Sequence, residues 1–141
     1  MSPQMMGFLF ESTWQTLEMV LVSCLIAVIL GLPLGVVLLV TRHGHILPGM
    51  KLNRGLGFVV NVVRSVPFII LMVSITPLTV LVVGTSIGTV AAMVPLAISA
   101  IPFFARLVEG AMEEVPAGLI EATQSMGATP LQIIRYVLLP E

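Results

Sequence analysis

The chain has 141 residues, of which 57% are hydrophobic and only 9% charged, with a mean hydropathy of +1.12. That balance excludes an ordinary soluble globular domain, and a net charge of −1 gives no global field to attract nucleic acid or an acidic ligand. The single cysteine, Cys24, excludes an intrachain disulfide.

No Lys or Arg precedes Arg42, and Glu11 and Glu18 lie in the N-terminal stretch, so the basic start of a cleaved signal peptide is missing. The first apolar segment, 19–40, is therefore expected to be kept as a span. Its length, roughly 33 Å as a helix, suits a hydrocarbon core of about 30 Å. A polar hinge follows, Thr41-Arg42-His43-Gly44-His45, continuing through Pro48, Lys51 and Arg54. The second span is predicted over 56–75, with Asn61 and Arg64 near its start and Pro67 just after. Pro77 and Gly84-Thr85-Ser86 suggest a short connection, and a third span is predicted over 87–104, with Pro95 and Pro102 inside it and Arg106 just beyond its end. Prolines bend a membrane helix, and its neighbours then satisfy the freed carbonyls.

Basic residues set the expected orientation. Arg42, Lys51 and Arg54 lie between spans one and two, Arg106 and Arg135 after span three, and none lies elsewhere except Arg64 within the second span. The positive-inside rule then puts the N-terminus outside and the last quarter of the chain in the cytoplasm.

That last quarter, 113–140, is patterned as two short helices bent around a glycine. Pro116 fits a first helical turn, Ala117 to Met126 continue it, and Gly127 can take the left-handed conformation that closes a helix. Thr129-Pro130-Leu131-Gln132 reads as a capping box that opens the second helix. Ile133, Ile134, Val137 and Leu138 then share one face. The expected product is a stiff amphipathic elbow beneath the membrane.

At these residues a resemblance emerges. Glu121-Ala122-Thr123, three residues, Gly127, nine residues, Val137, one residue and Leu139-Pro140 are similar to the EAA-x3-G-x9-I-x-L-P signature of ABC importer permeases, with Thr for the second Ala and Val for Ile. Arg64-Ser65-Val66-Pro67 resembles a segment of amino-acid importer permeases. Gly31-Leu32-Pro33-Leu34-Gly35, Val83-Gly84-Thr85-Ser86-Ile87-Gly88 and Gly127-Ala128-Thr129-Pro130 resemble the methionine-import permeases. The likeness runs along essentially the whole chain.

The resemblance implies an all-α integral membrane fold of type I, with three transmembrane helices and a cytoplasmic two-helix coupling elbow. The family has about five spans, so one incomplete permease domain is expected over 1–141, truncated at its C-terminus. It implies a multi-pass protein of the cell inner membrane that imports an amino acid, methionine first, as a homodimer. The implied partners are an ABC ATPase subunit, a periplasmic or lipid-anchored substrate-binding protein, a second permease copy and membrane lipid. Glu121, Ala122, Thr123, Gly127, Ala128, Thr129 and Pro130 would form the ATPase-coupling surface. The chain itself is expected to bind no cofactor and no metal and to contain no catalytic residue, since no Gly-rich phosphate loop is present and the ATP would be used by the partner.

Outside the elbow, Gly31 and Gly35 form a small-xxx-small pair suited to close helix packing, within the chain or across a dimer. Arg64, with Ser65 and Pro67, is a pathway or interface candidate because a charge at membrane depth is costly; the plainer reading is that Arg64 snorkels to the cytoplasmic interface. His43 and His45 lack the acidic or thiol neighbours of a metal site. Two other readings compete with transport. One is a small membrane adaptor that uses the elbow only to recruit a cytoplasmic partner; the other is an intramembrane enzyme, for which no catalytic dyad is visible.

Overall fold

A computed structural model describes residues 2–141, and every regular element among them is helical. Helix α1 spans Pro3–Val40, opened by Ser2, whose hydroxyl accepts from the Met5 amide, and by Pro3 in the first turn. At 38 residues it reaches about 57 Å, well beyond the ~30 Å of a hydrocarbon core. Its buried residues begin only at Ser23, and Phe8, Phe10 and Trp14 stand exposed on the earlier turns. The membrane-grade stretch expected from residue 19 is thus the second half of a longer helix.

The partner of α1 is α5, Thr89–Glu113. Ser23 Oγ donates to the Met93 carbonyl across an offset of 70 residues, and the same offset recurs where Gly31 meets the Ile101 carbonyl and Gly35 the Ala105 carbonyl. A constant offset means that the two helices run parallel. A Cβ on Gly35 would lie 2.6 Å from that carbonyl oxygen and 2.7 Å from Val108 Cβ; on Gly31 it would lie 3.0 Å from its carbonyl. Backbone therefore meets backbone, and the glycine pair packs within the chain. Helix α5 continues to Glu113, past the expected end at 104; in its last turns Arg106 pairs with Glu109, and Glu113 with Arg42 of the hinge after α1.

Two parallel spans require the intervening chain to cross back. It does so in pieces: α2 Met50–Ser65, α3 Phe68–Ser74 and α4 Thr76–Val83. The second span, expected as one helix over 56–75, is instead bent by 108° between α2 and α3. The cause is Val66-Pro67. Proline disfavours helical geometry in the residue before it, and Val66 is extended at φ −80°, ψ 127°. The pieces nevertheless climb α5 in reverse order. Val60 of α2 packs with Leu38 and Ala105; Phe68 and Leu71 of α3 share a cleft with Ser99 and Phe103; Thr76 and Thr79 of α4 share one with Ala91, Ala92 and Pro95. By length and composition, two helices can span a membrane, and three spans result if the bent pair counts as one.

The hinge after α1 is tied by side chains. Asn53 Nδ2 donates to the Leu38 carbonyl at 2.6 Å and to Thr41 Oγ1 at 3.2 Å, and the Leu47 and Gly49 amides donate to the Val40 and Thr41 carbonyls. The helix end therefore leaves few carbonyls without a donor. The main apolar cluster, Val36, Leu39, Val40, Met112 and Leu138, sits at this same end, directly over the terminal elbow.

Candidate functional site at the base of the helices

The elbow is built as the sequence suggests, in two arms. Helix α6, Ala117–Ser125, starts directly after Pro116, which lies one residue before the first turn rather than in it. It ends at Gly127, whose φ is +80°. The Gly127 amide donates to the Gln124 carbonyl at 2.9 Å and the Ala128 amide to the Thr123 carbonyl at 3.2 Å. This pair of bonds closes a helix around a left-handed residue, where glycine carries no Cβ penalty. The second arm, α7, begins at Pro130 with both halves of the capping box in place: Thr129 Oγ1 accepts from the Gln132 amide, and Gln132 Oε1 accepts from the Thr129 amide. After Ile133 the helix widens to a π turn over Ile134–Leu138, in which the Leu139 amide reaches back to the Ile134 carbonyl. Thr129→Ala should weaken this arm by about 1 kcal/mol, the usual loss for a cap, measured as a lower unfolding midpoint in detergent.

The elbow has an inner and an outer side. Ile133, Val137 and Leu138 are buried, and Ile120 and Ile134 pack partly covered against the main cluster. Outward face Leu119, Ala122 and Met126 on α6 and Leu131 and Tyr136 on the second arm, with Met126 85% exposed at the tip. Of the residues expected to form a coupling surface, Glu121, Ala122, Gly127 and Thr129 are exposed, whereas Thr123, Ala128 and Pro130 are half-buried. Thr123 spends its hydroxyl on the Leu119 carbonyl one turn back. Glu121 has no ion-pair partner within the described residues; it lines a cleft of about 190 Å³ with Gly44, His45, Ile46, Ala117, Ile120 and Gln124. The loop after α1 and the first arm of the elbow therefore share one wall.

His45 belongs to that wall. Its Nδ1 is buried without a hydrogen-bond partner. Burial holds the imidazole below its usual value of 6.5; the Arg42 charge adds to the depression and Glu113 opposes it. The unfolded chain thus binds the proton more readily than the folded one. The stability this group contributes is full above about pH 6.5 and is lost as pH falls through the lower folded value. Unfolding midpoints should therefore drop faster on acidification in the wild type than in His45→Gln, with the two curves parallel above that window.

Above the elbow lies a charge cluster that sequence reading did not isolate. Glu109 on α5 is the only buried acidic side chain among the described residues, at 5% exposure. Arg106 Nη1 donates to it at 2.5 Å and Arg42 approaches it at 3.7 Å, while Arg42 also pairs with Glu113. Arg106 Nη2 turns the other way, to Asn61 Oδ1 at 3.0 Å and the Gly57 carbonyl at 3.4 Å. One hint was local, the Arg106-x-x-Glu109 spacing; the other partners are far away in sequence. Arg64 is elsewhere. It is exposed on α2 and lines a cleft of about 240 Å³ beside the Val66-Pro67 bend, with Ser99 and Phe103 across from it. Ser65 donates to the Asn61 carbonyl one turn back, and Pro67 makes the bend itself.

Comparison with known proteins adds a second line. The family described as binding-protein-dependent transport system inner membrane component matches residues 27–141. The probable D-methionine transport system permease protein MetI of Vibrio cholerae is 62% identical over 133 residues, covering 94% of this chain and 59% of that protein. The D-methionine transport system permease protein MetI of Escherichia coli K12 is 54% identical over all 141 residues, 65% of its own length. Among solved structures, a chain from the inward-facing conformations of the MetNI methionine ABC transporter matches with a TM-score of 0.96 at 54% identity, covering 100% of this chain and 65% of that one. The present chain thus spans about three-fifths to two-thirds of the length of these relatives.

Proposed function

The chain belongs to the family of binding-protein-dependent transport system inner membrane components, and on that premise we propose that it serves as the permease subunit of an ATP-driven importer of methionine. Its all-α architecture is that of a type I importer permease over the length it spans. In this reading the protein sits in the cell inner membrane as a homodimer, with its N-terminus outside. It takes substrate from an external binding protein and borrows ATP hydrolysis from a cytoplasmic ATPase. The clustering of Arg42, Lys51 and Arg106 at the elbow end of the α1–α5 pair supports that orientation.

The observation that carries the reading is the elbow. The first arm, closed by Gly127, turns Leu119, Ala122 and Met126 outward, while the second arm buries Ile133, Val137 and Leu138, with Leu138 in the cluster at the base of α1 and α5 and Ile120 and Ile134 partly covered against it. Such a part can transmit force, because the outer face is free to be gripped and the inner face is anchored. Glu121 at its edge supplies a carboxylate for a basic partner. An adaptor that only recruits a partner would need the same outer face, yet it would have no use for anchoring it to the ends of two spans.

The test is uptake of labelled methionine by the complete transporter in proteoliposomes with an excess of unlabelled competitors. Methionine should compete best, and Glu121→Arg should lower both ATPase co-purification and uptake. Wild-type vesicles that consume ATP without taking up any amino acid would remove the importer reading.

A further inference from the structure

We propose that Glu109 is a positioning residue for coupling: it holds the Arg106 guanidinium in the orientation that hooks α2, so that motion delivered to the elbow carries α2 along with the α1–α5 pair. This inference rests on the permease reading above and extends it to a residue outside the elbow.

The argument starts from how differently the helices are held. Helices α1 and α5 are interlocked, with glycine backbone against carbonyl oxygen at Gly31 and Gly35, so they move as one body. Helix α2 touches that body lightly. Val60 is its only buried residue, and Phe58, Val59 and Val62 point away, exposed. Apart from the Asn53 bonds at its first turn, its polar tie to α5 is the Arg106 hook on Asn61 and Gly57.

A guanidinium presents its donors in a rigid planar fork. With Nη1 fixed by Glu109, Nη2 is aimed at α2; the carboxylate sets the aim without touching α2 itself. Glu109 is also one helical turn before Glu113, which Arg42 holds, and α5 ends there just ahead of the elbow. The charges therefore join three parts, the hinge after α1 through Arg42, α5 through Glu109 and α2 through Arg106, at the level where force would enter.

Stability alone is a poor reason for this arrangement. A buried ion pair is often no better than well-packed apolar residues of similar size, and its best-attested use is to fix one register among several. The register fixed here is that of α2 on α5. Immediately beyond it comes the 108° bend at Val66-Pro67, where a shift of α2 would be passed on to α3 and α4.

The experiment measures uptake and ATP hydrolysis together in vesicles of the complete transporter. Glu109→Gln keeps the shape and releases Arg106; Asn61→Leu removes the shorter bond of the hook, leaving only the 3.4 Å contact to the Gly57 carbonyl and the Arg106–Glu109 pair intact, so it reports even if Glu109→Gln fails to assemble. Substrate moved per ATP should fall about tenfold in each, within the usual range of coupling between sites, while hydrolysis continues. Adding Asn61→Asp to Glu109→Gln gives Arg106 a carboxylate on α2 and should restore the ratio. An unchanged ratio in Asn61→Leu, or no recovery with Asn61→Asp, overturns the proposal. Absence of ATP-driven uptake in the wild type would instead count against the permease reading.

Discussion

Replacing Gly35 by leucine is expected to pry α1 from α5 and to be the most damaging single change in the spans. Even a methyl group at this position would sit 2.6 Å from the Ala105 carbonyl oxygen and 2.7 Å from Val108 Cβ. The first of these is helix backbone and cannot swing aside. Overpacking of this kind costs about 3 kcal/mol, and here it would also misplace the cluster of Val36, Leu39 and Met112 that supports the elbow. The unfolding midpoint in detergent should fall sharply. Gly7→Leu is the matching control, because nothing lies within 4 Å of a Cβ there; its midpoint should hold or rise slightly. Equal effects at the two positions would contradict the interlocked pair.

The second large effect is expected from Gly127→Pro. Proline fixes φ near −65° and removes the amide hydrogen, whereas this position needs φ +80° and its amide donates to the Gln124 carbonyl. Both failures act at the joint between the two arms, for a loss of about 3 kcal/mol and a misdirected α7. The complete transporter carrying it should lose ATPase co-purification and uptake. Gly127→Asn, which tolerates left-handed geometry better than other side chains, should keep much of both. If the proline variant captures the ATPase as well as the wild type does, the bend has no part in coupling.

The elbow was the most legible part of the chain because its stops and starts are local. A glycine that must turn left-handed, a Thr-Pro-x-Gln box and an apolar face at helical spacing all lie within a few residues of the bonds they make. The apolar run from residue 19 was legible from hydropathy, but not the length of the helix that carries it. Helix α1 reaches back to Ser2 through turns containing Glu11 and Glu18 that a membrane-length window leaves out. The second span misled in the opposite way. Its apolar composition continues across Val66-Pro67 while its backbone does not, since hydropathy is blind to the extended geometry that proline imposes on the residue before it.

The charge cluster was illegible for a different reason. Glu109 gains its meaning from Arg42 and Asn61, brought to it only when α1 and α2 pack on α5. From sequence alone, Arg106 read as the basic residue just beyond a span, and nothing singled out Glu109. Arg64 drew notice through position, yet it stands exposed in a cleft without an acidic partner among the described residues. The residue that stood out in sequence and the residues that pair in space were thus different arginines, Arg64 on α2 against Arg106 on α5 and Arg42 in the hinge after α1.

The central claim is that the outer face of the elbow is gripped by a cytoplasmic ATPase, and one measurement reaches it most directly. In a Cys24→Ser background, Met126→Cys puts a thiol at the elbow tip, where the native side chain is 85% exposed. Its rate of modification by a water-soluble maleimide would be compared in the permease alone and in the assembled transporter. The account expects rapid modification of the free permease and strong protection on assembly. Equal rates in the two would mean that the tip meets no partner, and the coupling role of the elbow would be lost.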